Sequence, residues 1–102
     1  MSHRFKPGEP VVYRAQKAST SPGPRAINIS PAHLGESYSY NVDKYWRVAE
    51  VKNDGNVVLL TRRGKKRVCS EEDNRLRKAG LIERVRNKSR FPEEQLLETS
   101  NR

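Results

Sequence analysis

Residues 45–70 read YWRVAEVKNDGNVVLLTRRGKKRVCS, and this run decides the fold. Tyr45 to Val51 is aromatic and β-branched, a composition that suits a pleated, half-buried surface. Asn53-Asp54-Gly55 follows, and Asp-Gly between two such runs is a strong hairpin signal, because Gly takes positive φ at no steric cost. Val57-Val58-Leu59-Leu60-Thr61 is the return strand. It is apolar on both faces, so a central place in the sheet is expected. Arg62-Arg63-Gly64 makes a second turn, and Lys65 to Cys69 a third strand. Three antiparallel strands sharing one apolar face are about the minimum that stands alone in water.

Working outward, the 102 residues suggest one domain over residues 1–90, with a largely flexible tail at 91–102. Only 33% of the residues are hydrophobic, so the core is small. Phe5-Lys6-Pro7-Gly8-Glu9-Pro10-Val11-Val12-Tyr13-Arg14 reads as a turn entering a strand. Pro10 cannot donate a ladder hydrogen bond, which puts it at the first strand position or on an edge. Residues 15–44 carry loop composition at Ser19-Thr20-Ser21-Pro22-Gly23-Pro24, yet thirty structureless residues would be unusual in so small a fold. Two alternating pieces stand out, Ile27-Asn28-Ile29 and Tyr38-Ser39-Tyr40-Asn41-Val42. The second is expected to run on through a kink at Asp43-Lys44 into Tyr45-Trp46 as one long bent strand.

Ser70-Glu71-Glu72-Asp73 has the form of a helix start, with a capping hydroxyl and three acids in the first turn. Leu76 and Ala79 would face the core and Gly80 would end the helix. Two continuations remain open from sequence: helix through Gly80 to about Asn87, or a short closing strand at Leu81 to Val85. Beyond Pro92, residues 93–97 suit one or two helical turns. The expected class is therefore mainly β with a C-terminal helix.

Taken together, residues 5–85 resemble a small SH3-like antiparallel barrel of about five strands, of the KOW or Tudor type. The order is similar: a first strand at 11–14, a long loop, hairpins at Asp54-Gly55 and Arg63-Gly64, then a turn from Ser70. The opening Phe5-x-x-Gly8-x-x-Val11-Val12-Tyr13 is also similar to the polymerase-binding domains of CarD-type transcription regulators. The first resemblance implies nucleic-acid binding; the second implies docking on a polymerase, and so an alternative function as a protein-docking module in a transcription or translation complex.

The charge pattern carries the functional reading. The net charge is +9, and residues 62–90 hold 12 basic and 4 acidic side chains, or +8. Such a local excess points to a polyanionic partner, a nucleic acid (RNA or DNA) or an anionic membrane, of which nucleic acid is the expected one. Arg62, Arg63, Lys65, Lys66 and Arg67 place five cations in six residues around a hairpin tip. Gly64 lets backbone approach a phosphate, Arg can fork onto its oxygens, and Lys acts as a point charge. The plainer alternative is a solvated hairpin that protects a sheet edge. Arg77 and Arg84, with Lys88, would share one helix face and extend the basic surface if the helix ran through Gly80. Tyr38 and Tyr40 are candidate base-stacking residues, while Trp46 is expected in the core.

Neither a Ser-His-Asp order, nor a paired-carboxylate signature, nor a phosphate-loop motif is visible, so no enzyme and no cofactor is expected. His33, with Arg25, Tyr38 and Tyr40, offers only a weak small-ligand reading. Cys69 is the single cysteine. It leaves no intramolecular disulfide or cysteine metal knuckle to build and suits a reducing, cytoplasmic setting. No run approaches the ~20 apolar residues of a membrane helix, and the N-terminus lacks a signal-peptide pattern. A monomer is expected.

Overall fold

A computed structural model describes residues 4–92. The expected helical turns at 93–97 and the rest of the tail from 93 onward lie outside the described residues. The chain is mainly β: β1 (Pro10–Ser19), β2 (Ile27–Pro31), β3 (Tyr38–Val51), β4 (Asn56–Leu60), β5 (Lys66–Ser70) and β6 (Leu76–Lys78), then α1 (Leu81–Arg86) and a 3-10 turn at Lys88–Arg90. These six strands make one sheet of order β5-β4-β3-β1-β6, with β2 added on β3. The strand pairs of known register are antiparallel. β5 and β6 end the path, so the sheet has six strands and is not closed, where a barrel of about five strands was expected.

The fold divides into two compact units. One takes the chain up to Tyr13 and again from Tyr45; the other is Arg14–Lys44. In the first unit, β4 is central, between β3 and β5, and Val57, Val58, Leu59 and Leu60 are all buried. Period-2 alternation sends them to opposite faces. Val57 and Leu59 join Phe5, Val11, Val48 and Leu76 in the main core, while Val58 and Leu60 pack with Ala49. On β1 the same alternation puts Val11 in the main core and Val12 against Ala79 and Phe91. Phe91 and Pro92 are buried, so these two residues are not part of a free tail. The register irregularity of β3 against β4 falls between Val48 and Glu50, where an extra residue bends the strand.

Pro10 opens β1, as its missing N–H requires. Trp46 is half-buried rather than fully buried. Its ring stacks on Tyr13 at 5.0 Å between centroids.

In the second unit, β1 runs on to Ser19, well past the expected end near Arg14. Little in Ala15-Gln16-Lys17-Ala18 favours a strand; cross-strand bonds hold it. Arg14 donates two bonds to the Asp43 carboxylate, at 2.9 and 3.3 Å, and the Ser19 and Tyr40 hydroxyls are 3.1 Å apart. β2 pairs with β3 through Ile27↔Asn41, Ser30↔Ser39 and Pro31↔Tyr38. The supposed long loop is therefore largely strand, and β3 is the continuous strand expected from Tyr38 onward.

The expected helix from Ser70 does not form. Ser70 ends β5, and its hydroxyl accepts the Glu72 N–H at 3.1 Å. Asp73 does the same for the Arg75 N–H at 2.9 Å. Ser and Asp that would cap a helix serve equally to close turns on their own backbone. The chain then pairs with β1 through Val11↔Lys78, Val12↔Arg77 and Tyr13↔Leu76. Pairing with β1 buries Leu76 against the core, which overrides the local helix signal. Helix begins only after Gly80, which precedes α1 instead of ending a helix, so residues 81–86 are helix and the closing strand lies at β6.

One bond cluster ties α1 to β6. Arg77 donates to both Glu83 oxygens, at 2.5 and 2.7 Å, and the Gly80 N–H donates to Glu83 Oε1 at 3.0 Å. These bonds, the Arg77 pair first, pull the Glu83 carboxyl down from 4.5 to about 2. A folded pKa below the unfolded one means stability present above about pH 4.5 and lost as pH falls toward about 2. Glu83→Gln is expected to cost on the order of 1 kcal/mol at pH 7, after allowance for solvent screening. Urea unfolding at descending pH should show wild type and variant converging.

Candidate nucleic-acid interface

The β4–β5 hairpin closes through Leu60↔Lys66. Its tip is a defined turn. The Thr61 N–H donates to the Lys65 carbonyl at 2.8 Å, the Gly64 N–H to the Thr61 carbonyl at 2.9 Å, and the Lys65 N–H to Thr61 Oγ1 at 3.1 Å. Gly64 has φ +87°, the left-handed turn position that residues with a Cβ rarely take. Arg62 and Arg63 thus stand at the apex of a fixed loop, and Lys65, Lys66 and Arg67 lead down its edge strand. Cα partners across an antiparallel pair point to one face, so Lys66 shares the face of Leu60 and Arg67 that of Leu59. The cations therefore surround the ribbon rather than lining one side.

All five are exposed. Arg62, Arg63, Lys65 and Arg67 have no carboxylate partner among the described residues. Other cations of the fold contrast with them. Arg14 is paired with Asp43, Arg75 with Asp73, Arg77 with Glu83 and Lys78 with Glu9, at 2.9, 3.0, 2.5 and 3.5 Å.

Gly64→Ala tests the tip. Nothing lies within 4 Å of the added methyl, so the cost comes from backbone conformation alone. It should be about 1–2 kcal/mol, read as a melting temperature lower by several degrees.

Arg77 and Arg84 are on other elements than the hairpin. Arg77 is on β6, the opposite end of the strand order from β5, and is held by Glu83. Arg84 is on α1 with its Nε donating to the Ala79 carbonyl at 3.3 Å. The shared helix face with Lys88 does not exist, because Arg77 is in a strand and Lys88 begins the 3-10 turn.

Tyr13, Tyr40, Tyr45 and Trp46 are engaged by other side chains. Tyr45 meets Phe91 edge-on at 5.3 Å, with the Arg90 guanidinium 5.6 Å from its ring centre. The Arg75 guanidinium lies 5.3 Å from the Tyr13 ring that stacks on Trp46. Tyr38 and Tyr40 belong to the Arg14–Lys44 unit. Tyr38 is marginally exposed, and the Tyr40 hydroxyl is bonded to Ser19.

Arg47 has a role that its position in a β-rich run does not announce. It donates to the Pro92 carbonyl at 2.7 Å and the Gly8 carbonyl at 3.0 Å, clamping two distant segments to β3. Cys69 packs half-buried against the main core. Burial, then the Asp73 charge, pushes its thiol above the ordinary 9.0 despite Arg75, which opposes a reactive thiolate. No helix among the described residues is long and apolar enough to cross a membrane.

No protein-family model matches this chain, and neither a curated protein nor a solved structure shows significant similarity to it.

Proposed function

We propose that this chain is a non-enzymatic nucleic-acid-binding module that grips phosphates with the β4–β5 hairpin. One observation carries the reading: four exposed cations on and beside a fixed turn have no carboxylate partner among the described residues, whereas Arg14, Arg75, Arg77 and Lys78 each have one. Like charges held this close repel, and a polyanion relieves that repulsion while releasing its own counterions. Edge protection alone does not call for charges on both faces of the ribbon. The contact residues are Arg62, Arg63, Lys65, Lys66 and Arg67. Tyr45 and Trp46 are packed on other rings, so phosphate contact with little base preference is favoured over stacking.

The strand order supports an SH3-like assignment. A three-strand meander, β3-β4-β5, is joined to β1, and the last strand returns to the other side of β1. A single half-buried thiol suits the reducing cytoplasm.

Fluorescence anisotropy against single-stranded RNA, duplex RNA and duplex DNA, each over a salt series, tests the proposal. Binding to all three at low salt, lost steeply as salt rises, is expected. No binding at low ionic strength, or affinity indifferent to salt, defeats it.

A further inference from the structure

A second surface has a different chemistry. α1 exposes Leu81, Ile82 and Val85 at 76%, 72% and 72%. Three bare aliphatic side chains on a six-residue helix gain nothing from water or from a phosphate backbone. Beside them opens a cleft of about 600 Å³. One wall is Arg84, Val85 and Lys88; the other is formed by Arg47 and Phe91, with Gly8 and Pro10 at the entry to β1. Cations and apolar groups share its lining, and no acidic side chain among the described residues lines it.

The cations are placed rather than loose. Arg84 is anchored through Nε to the Ala79 carbonyl, and its terminal nitrogens have no partner among the described residues. Lys88 likewise has none among the described residues. Glu83, the acid nearest in sequence, is engaged by Arg77 and Gly80.

We infer that this cleft docks an acidic peptide of a protein partner, with one large apolar side chain as its anchor. Carboxylates flanking the anchor meet Arg84 and Lys88, and the anchor fills the space between Val85 and Phe91. Leu81 and Ile82 widen the apolar contact. Three features select this occupant. The charge calls for an anion. The aliphatic patch excludes a bare phosphate chain. The concavity, within the ~300–1,000 Å³ of ordinary ligand pockets, admits a side chain but not a flat bilayer. The inference stands apart from the hairpin reading, which involves other residues.

The test uses the full chain and a fluorescein-labelled glutamate peptide with a central Trp-Leu pair. Its control is a charge-matched peptide with serines in place of that pair, and phosphatidylserine vesicles form the third arm. The Trp-Leu peptide should bind about tenfold more tightly than the control, equal to ~1.4 kcal/mol. Amide shifts should change at Gly8, Arg84, Val85 and Lys88. Val85→Ser, at an exposed position that leaves the fold intact, and the double variant Arg84→Gln, Lys88→Gln should each weaken the peptide about tenfold. Neutralising the hairpin cations should leave the difference between the peptides in place, so the two proposals fail separately. Equal affinity for both peptides, shifts confined to residues 62–67, full affinity in Val85→Ser, or binding to vesicles but not to peptide would each overturn the inference.

Discussion

Replacing the hairpin cations through Arg62→Gln, Arg63→Gln, Lys65→Gln, Lys66→Gln and Arg67→Gln is expected to abolish nucleic-acid binding while leaving the protein folded. Each phosphate neutralised by a cation contributes about −0.9 to the log–log salt slope on duplex DNA and about −0.7 on single strands. Five contacts would give a duplex slope near −4 to −5, falling to about zero in the variant. A slope of that size makes wild-type affinity fall on the order of 500-fold over a fourfold rise in salt, a fall that the variant should not show. Single substitutions should each reduce the slope by about 1 without changing base preference. The fold should survive because all five side chains are exposed and the tip is closed by backbone atoms and Thr61. Removing adjacent like charges should leave the melting temperature equal or slightly higher. Anisotropy over a salt series, beside circular dichroism, decides it. A variant that keeps the wild-type slope would show that the contact lies elsewhere.

Leu59→Ala is expected to be the most damaging of simple substitutions. Leu59 has no exposed surface and joins Phe5, Val11, Val48, Val57 and Leu76 from the central strand. The residues around it come from β1, β3, β4, β6 and the N-terminal turn, so no single element can collapse into the gap. Truncation in such a site costs about 2–5 kcal/mol, against a total stability of roughly 5–15 kcal/mol for a domain. At about 4–8 °C per kcal/mol, the melting temperature should fall by ~10 °C or more. Val68→Ala is the matched control. Val68 lies on the same hairpin but is 58% exposed, and its loss should stay within about 0.5 kcal/mol. Calorimetry and urea unfolding read both. A Leu59→Ala loss below ~1 kcal/mol would be incompatible with this core.

The order of these effects shows which parts of the molecule are legible locally. The β3–β4–β5 meander was readable because each hairpin closes within a few residues. Positive φ at Gly55 and Gly64 is a demand that neighbouring residues announce. The double-sided burial of β4 follows from its unbroken apolar run. Ser70 and Asp73 misled because their side chains satisfy backbone N–H groups in turns as well as at helix starts. The expected Arg77–Arg84–Lys88 face disappeared with the helix that would have carried it.

Nearest-neighbour chemistry was enough to specify the two tight turns, the central apolar strand and the knot of positive charge, since each depends on groups only a few bonds apart. Long-range pairing made the other choices. Alignment with β1 turned Leu76–Lys78 into a strand, and Glu83 took up Arg77. Cross-strand partners carried β1 on to Ser19. The physical reason is that burial and ion pairing reward whichever residues the folded chain brings together, and a linear reading holds no record of those distances.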